Sequence, residues 1–259
     1  MKKIQLEASK IKEALMKEIN SGKHAYYQVL PQRLESLLGD ITYSPCSRFE
    51  PQRMEYITSK ISFERKRVID IGCNMGYFTL SALELGAGHV TSYEGVKSHA
   101  EFVTRAAMLM EVDSRVTVRN QYFNFNELDA YYDIAILLNV LHHVGDDYGD
   151  QALTINEARE SIINQLNSMK NIADNVIFQL GFNWRGNRNY GLFENGTKIE
   201  LIEFIKNGVK DTWNIDFIGI AKKDEGGNVI YSDLNNGNIE RYDQLGEFLN
   251  RPLFILRKI

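Results

Sequence analysis

Cysteine is scarce in this chain, with two among 259 residues. Cys46 and Cys73 cannot build a disulfide framework, and neither stands in a Cys/His spacing that would hold zinc. Reduced thiols in a cytoplasmic setting are therefore expected. Long apolar runs are missing too, so no stretch reads as a bilayer span. The opening MKKIQLEASKIKEALMKEIN interleaves Ile4, Leu6, Ile11, Leu15 and Ile19 with charges, a pattern of an amphipathic helix and not of a signal peptide. Nor is there an excess of basic charge. Thirty Lys and Arg face 34 Asp and Glu, for a formal net charge of -4. That balance gives no general pull toward nucleic acid or an anionic membrane, although it leaves room for a local basic patch. Internal repeats and low-complexity segments are absent. What remains is 44% hydrophobic and 25% charged, the composition of a globular protein long enough for one large α/β domain with extensions.

The first ~65 residues read as helices. One ends near Ser21-Gly22. A second spans roughly Ala25 to Leu38, stops at Gly39-Asp40 and is interrupted or kinked at Pro31. A loop through Tyr43-Ser-Pro-Cys follows, and Glu50-Pro51 opens a third helix, with proline suited to its first turn. From Arg67 the texture changes. RVIDIG, HVTSYE, RVTVRN, YYDIAILLNVL and NVIFQLG read as strands, and helices are expected over Tyr77–Leu85, Lys97–Glu111 and Asp150–Asn171. Strands alternating with helices imply parallel βαβ units, with ligand chemistry at the carboxyl ends of the strands. A helix over Thr197–Asn207 follows. WNIDFIGIAK and PLFILRKI are two further candidate strands, suited to an antiparallel edge pair, and the Gly/Asn-rich Asp224–Asn238 between them is expected to be a loop or hairpin.

The chemistry concentrates in VIDIGCNMGYFTLSALELGAGHVTSYEG, Val68 to Gly95. A strand ends at Asp70 and Ile71, Gly72 and Gly76 bracket a tight loop, and a helix begins directly after. Glycines allow the sharp turn and a close ligand approach, and the helix start offers N–H groups to an anion. The dinucleotide fingerprint G-x-G-x-x-G is not met, because Asn74 stands where the middle glycine belongs. Asp70, just before the loop, would repel a pyrophosphate but could hold an ammonium group. A ligand bearing both an amine and a carboxylate fits, and S-adenosylmethionine has both. Glu94, about twenty residues on at the end of the second strand, can accept from both hydroxyls of a ribose.

D-I-G-C-N-M-G-Y-F-T, then Y-E-G, then Y-D-I-A-I-L-L-N-V-L-H-H-V resembles the class I S-adenosylmethionine-dependent methyltransferases in order and spacing through the fourth strand. The resemblance implies an α/β, Rossmann-like fold. Its sheet would be seven-stranded and mostly parallel, with helices on both faces and an antiparallel last strand. It also implies a domain over residues 66–259 behind an N-terminal helical cap over residues 1–65. By that resemblance Asp70, Gly72, Cys73, Asn74 and Gly76 line the methionine part of the cofactor. Glu94 holds the ribose with Gly95 beside it. Asn120, Gln121 and Tyr122 follow the third strand, where the adenine would lie, and Leu138 and Asn139 face the sulfur side.

Around this core, other residues carry open readings. Cys73 is expected to contribute backbone contact and not nucleophilic chemistry. His142 and His143, after the fourth strand, are candidate bases for an acceptor hydroxyl, or packing for the turn. Asp146, Asp147 and Asp150 read as caps or surface more readily than as a metal site, so no metal is expected. In NWRGNRNYG, Trp184, Arg185, Arg188 and Tyr190 could grip a sugar, phosphate or carboxylate, or form a solvated loop with an aromatic anchor. Arg48 and Arg53 could reach the cofactor carboxylate, and pairing with acidic neighbours is the simpler role. The expected function is methyl transfer to a small-molecule or saccharide acceptor, at oxygen. An RNA-directed enzyme and a cofactor-binding regulator are the alternatives. No membrane partner is expected, and the oligomeric state is open.

Overall fold

A computed structural model describes residues 2–18, 28–40, 48–126 and 130–259. Among the described residues, eight helices and eight strands alternate as the α/β reading requires. The helices are α1 (Lys2–Glu18), α2 (Gln32–Leu38), α3 (Glu50–Thr58), α4 (Tyr77–Glu84), α5 (Lys97–Leu109), α6 (Ile155–Ser168), α7 (Lys198–Val209) and α8 (Gly246–Leu249). The strands are β1 (Arg67–Ile71), β2 (His89–Tyr93), β3 (Val116–Arg119), β4 (Tyr132–Leu138), β5 (Ala173–Gln179), β6 (Trp213–Lys223), β7 (Val229–Asp233) and β8 (Leu253–Lys258). The fold is Rossmann-like, with one strand more than expected. The extra strand, β7, turns Asp224–Asn238 into a hairpin with β6, closed by Asp224 and Asn228.

The chain divides into two compact units, residues 1–50 with 62–123, and residues 51–61 with 124–259. In the first unit β1, β2 and β3 are parallel neighbours, with Asp70 opposite Ser92 and Ile71 opposite Tyr93. Val68, Ile69 and Val90 are buried in these strands, and Val103, Ala106 and Ala107 of α5 are buried as well. Gly76 lies so close to α5 that a Cβ there would meet Val103 at 2.8 Å. Helix α1 packs on α5 through Ile11 and Leu15, and Arg105 joins it to Glu7 at 2.9 Å.

The second unit begins with β4 and β5, parallel and buried on both faces. β8 runs antiparallel beside β5, and β6 antiparallel beside β8. Thus the expected antiparallel pair exists, with β8 joined to the parallel strands and β6 joined to β7. Helix α3 anchors the hairpin. Tyr56 donates its hydroxyl to Asp233 at 2.8 Å, Lys60 pairs with the same carboxylate at 2.9 Å, and Gly219 leaves space for the Tyr56 ring.

Two helix boundaries correct the sequence reading. Pro31 does not kink a helix begun at Ala25. It precedes the first turn of α2, and residues 28–30 are not helical. Helix α6 starts at Ile155 and not near Asp150, because Thr154 and Glu157 form a reciprocal capping box. Asp150 instead accepts from the Ala152 N–H at 2.9 Å, so it is not the helix cap. The stretch just before residue 28, the Ser21-Gly22 stop, the Tyr43-Ser-Pro-Cys loop and Cys46 lie outside the described residues.

Candidate functional site

In the first unit, the loop after β1 is held by backbone. The N–H groups of Gly72 and Cys73 both donate to the Tyr93 carbonyl, at 2.9 and 3.1 Å. Gly72, Asn74 and Gly76 adopt φ of 72°, 52° and 77°. That left-handed turn is easy for glycine, and asparagine is among the side-chain-bearing residues that enter it most readily. The Asn74 N–H donates to Glu94 Oε2 at 2.7 Å, which ties the turn to the end of β2. The other carboxylate oxygen accepts from the Val96 N–H at 2.8 Å. Two of the four lone-pair sites on Glu94 are thereby used to hold the loop and the start of α5, and two remain for a ligand.

Asp70 is buried at the end of β1 and accepts from Thr79 Oγ1 at 2.7 Å. Burial pushes its carboxyl up to about 7, the Thr79 hydrogen bond opposes this, and the neighbouring Glu94 charge adds to it. Cys73 is buried as well. Burial, then the charges of Asp70 and Glu94, push its thiol well above the usual range, so it is a poor nucleophile. Asn120 donates its amide to the carbonyls of Glu94 (2.9 Å) and Gly95 (3.2 Å). Gln121 and Tyr122 are exposed, and a Cβ on Gly95 would meet the Tyr122 ring at 2.5 Å. Arg48 donates its backbone N–H to the Glu50 carboxylate.

In the second unit, the strand ends carry a linked set of polar groups. Asn139, at φ 62°, donates its N–H to the Gln179 carbonyl and its amide to Gln179 Oε1 at 2.9 Å. Arg251 donates to Asn139 Oδ1 at 2.7 Å and pairs with Glu247. Burial would raise the Glu247 carboxyl, but the Arg251 hydrogen bonds and charge, the Phe182 N–H and the Arg241 charge together hold it below the usual range. Arg53 is buried, donates to Gln179 Oε1 at 3.3 Å and lies 5.1 Å from the Phe248 ring centroid. Leu138 is half-buried at the end of β4.

The two histidines differ. His142 is buried, and its Nδ1 accepts from the Gly181 N–H at 3.3 Å, which places its proton on Nε2. Burial, then the proximity of His143 and Arg251, push its pKa well below the ordinary histidine value, so it is neutral. His143 is half-buried, stacked on His142 at 4.3 Å between centroids, with Nδ1 3.4 Å from Asp147 Oδ2. One ligand atom each from His143, Asp146 and Asp147 lies within 4.8 Å of the others. Trp184 is buried and donates its indole N–H to the Val144 carbonyl at 2.7 Å. Arg185 stacks on Trp184 at 4.2 Å and donates to the Gln151 carbonyl at 2.6 Å. These two side chains brace the loop after β5 against the loop after β4. Arg188 and Tyr190 are exposed.

A family model described as a methyltransferase domain matches residues 47–169, just under half of the chain. Over that stretch the chain is similar to class I S-adenosylmethionine-dependent methyltransferase domains. Ubiquinone biosynthesis O-methyltransferases are similar to part of the chain. The protein from Rickettsia akari is 28% identical over 105 residues, which is 38% of this chain and 41% of that one. The one from Paraburkholderia phymatum is 31% identical over 108 residues, 40% of this chain and 44% of that one. The chain thus spans less than half the length of these curated relatives. Among solved structures, a candidate RNA methyltransferase from Pyrococcus horikoshii superposes with a TM-score of 0.51 at 15% identity, over 97% of this chain and 98% of that one. That likeness shows the shared fold.

The methyltransferase loop fits the methyl donor on grounds visible in the structure. Asn74 Oδ1 is buried and finds no hydrogen-bond partner among the described residues. Such an atom is costly unless a ligand donor reaches it. Asp70 and Glu94 supply two carboxylates at the same strand ends, matching a cationic donor. Sequence reasoning missed Thr79, His99, Gln179 and Arg251. Gln179 was within reach, since it ends β5 where ligands of open α/β sheets bind. Thr79 and His99 in the first unit, and Arg251 in the second, are single residues placed by packing within their own unit, with no spacing that marks them.

Proposed function

We propose that the protein transfers a methyl group from S-adenosylmethionine to an oxygen of a small-molecule or saccharide acceptor. The observation that carries this reading is the pairing of Asp70 with Glu94 around a loop whose buried Asn74 Oδ1 awaits a donor. The bound cofactor supplies an electrophilic methyl group on a sulfonium. Asp70 and Asn74 would hold its ammonium, and Glu94 has two lone-pair sites left that would take the ribose hydroxyls. Gly95 and Tyr122 would border the base, and Gln121 would offer an amide to its amine.

His143 takes the acceptor proton in this reading. Its Nδ1 faces Asp147, which favours the Nδ1–H tautomer and leaves Nε2 as the accepting atom. His142, neutral and held by Gly181, orients the turn. The relatives named as O-methyltransferases support oxygen as the methylated atom. Trp184 and Arg185 shape the acceptor side by bracing its loops, and Arg188 is left to contact the acceptor. The net charge of -4 disfavours RNA as the acceptor.

Incubation with methyl-labelled S-adenosylmethionine and fractionated lysate tests the reading. Label in a small-molecule or glycan fraction, lost in His143→Gln, is expected. Label confined to RNA would replace the acceptor class. Bound cofactor with no transfer to any fraction would favour the regulator.

A further inference from the structure

We propose that His99 is a positioning residue that sets the polarity of Asn74 and so makes the donor loop selective for ligands carrying an ammonium group. The proposal rests on the donor reading given above. His99 lies in the first turn of α5 and is 1% exposed, too deep to touch a ligand itself. Its Nδ1 is 3.3 Å from Asn74 Nδ2 and 3.8 Å from Glu94 Oε1.

A carboxamide has two faces of opposite character, and what orients it is the hydrogen bond made by one of them. Here Asn74 Nδ2 lies on the imidazole Nδ1, which accepts from it when the ring proton is on Nε2. Asn74 Oδ1 is left as the buried atom without a partner among the described residues. The backbone of Asn74 is fixed independently, by its left-handed φ and its N–H bond to Glu94. The side chain therefore has one remaining choice, which way round the amide lies, and His99 makes it. With the oxygen presented, the loop accepts from a cation. With the amide reversed, the loop would offer N–H groups beside Asp70 and oppose an ammonium.

The test compares S-adenosylhomocysteine, which carries the ammonium, with 5′-methylthioadenosine, which keeps the nucleoside and lacks the amino acid. Wild-type binding of both by calorimetry checks the donor reading first. If neither binds, that reading fails and the inference with it. His99→Leu removes the acceptor and is expected to weaken S-adenosylhomocysteine by roughly ten- to a hundredfold, the loss of one charge-assisted hydrogen bond. Binding of methylthioadenosine should change less than about twofold, because it makes no use of the amide oxygen. His99→Gln keeps an acceptor and should restore most of the difference. In an Asn74→Ala background, His99→Leu should have no further effect, since His99 acts through that amide. Equal weakening of both ligands, or of neither, would overturn the proposal. Nitrogen NMR of the wild type serves if His99→Leu does not fold. An Nδ1 without its proton is expected, and a proton on Nδ1 would overturn it.

Discussion

Replacing Asp70 by Asn should stabilise the protein while it abolishes donor binding, and the size of the effect follows from burial. The Asp70 carboxyl is raised from 3.8 to about 7, equivalent to ~4 kcal/mol at most between the two ionisation states. Between those two values the folded state holds a proton that the unfolded chain has lost. The stability that this proton brings is therefore full below about pH 4, falls as pH rises, and is gone above about pH 7. An amide does not titrate, so the variant has no such slope. The advantage of Asp70→Asn over wild type should then grow by roughly 2–3 kcal/mol from about pH 5 to about pH 8, whatever constant cost the new amide brings. Urea midpoints of both proteins at the two pH values measure this directly. The same ionisation governs the donor. Only the charged carboxylate attracts an ammonium, so S-adenosylhomocysteine should bind the wild type roughly eightfold more weakly at about pH 6 than at about pH 7.5, and the variant should bind it at neither pH. An advantage that does not grow with pH would refute the assignment of a neutral, desolvated acid at the loop.

Other expectations follow from single contacts. His143→Gln should lower kcat by roughly a hundredfold or more with little change in donor affinity, as expected for loss of a general base. An unchanged kcat would show that the proton leaves without it. Cys73 should resist alkylation at about pH 8 in the folded protein and react after unfolding, read by peptide mass, because burial raises its thiol. Gly76→Ala should cost about 1–3 kcal/mol, since φ is 77° and the new Cβ would meet Val103 at 2.8 Å. Denaturant titration reads it. Lys198→Met should lose about 1–3 kcal/mol in the same titration, because the buried Lys198 ammonium donates to the Asn238 and Glu240 carbonyls at 3.0 and 2.8 Å.

Much of the first unit is legible in the sequence because its signals are local. Two glycines around a tight loop, a strand before and a helix after, and an acid at each strand end all fall within one short stretch, Val68 to Gly95. The loop also takes its shape for a reason that a local pattern does not show. Asn74 is held in its glycine-like conformation by Glu94, twenty positions on, which accepts its N–H. Helix starts are less legible where several polar residues compete. Asp150 resembles a cap, yet Thr154 has Glu157 three residues later and closes a reciprocal box, a pattern present in the sequence. Pro31 resembles an interruption, but its missing N–H suits a helix beginning.

The strand ends of the second unit are harder to read, because their residues meet across long separations. Trp184 and Arg185 look free to grip a ligand in the sequence, but the Val144 and Gln151 carbonyls, 40 and 34 residues away, take their N–H groups. Asn139, Gln179 and Arg251 form one network from three separate segments. No periodicity announces such a set, since each member is a single polar residue at a strand end or in a loop.

The central claim is that the loop and its two acids hold S-adenosylmethionine. Calorimetric titration of the wild-type protein with S-adenosylhomocysteine tests it most directly. One site with affinity in the micromolar range, lost in Glu94→Ala, is expected. No heat of binding, together with no shift in thermal unfolding at millimolar ligand, would contradict it.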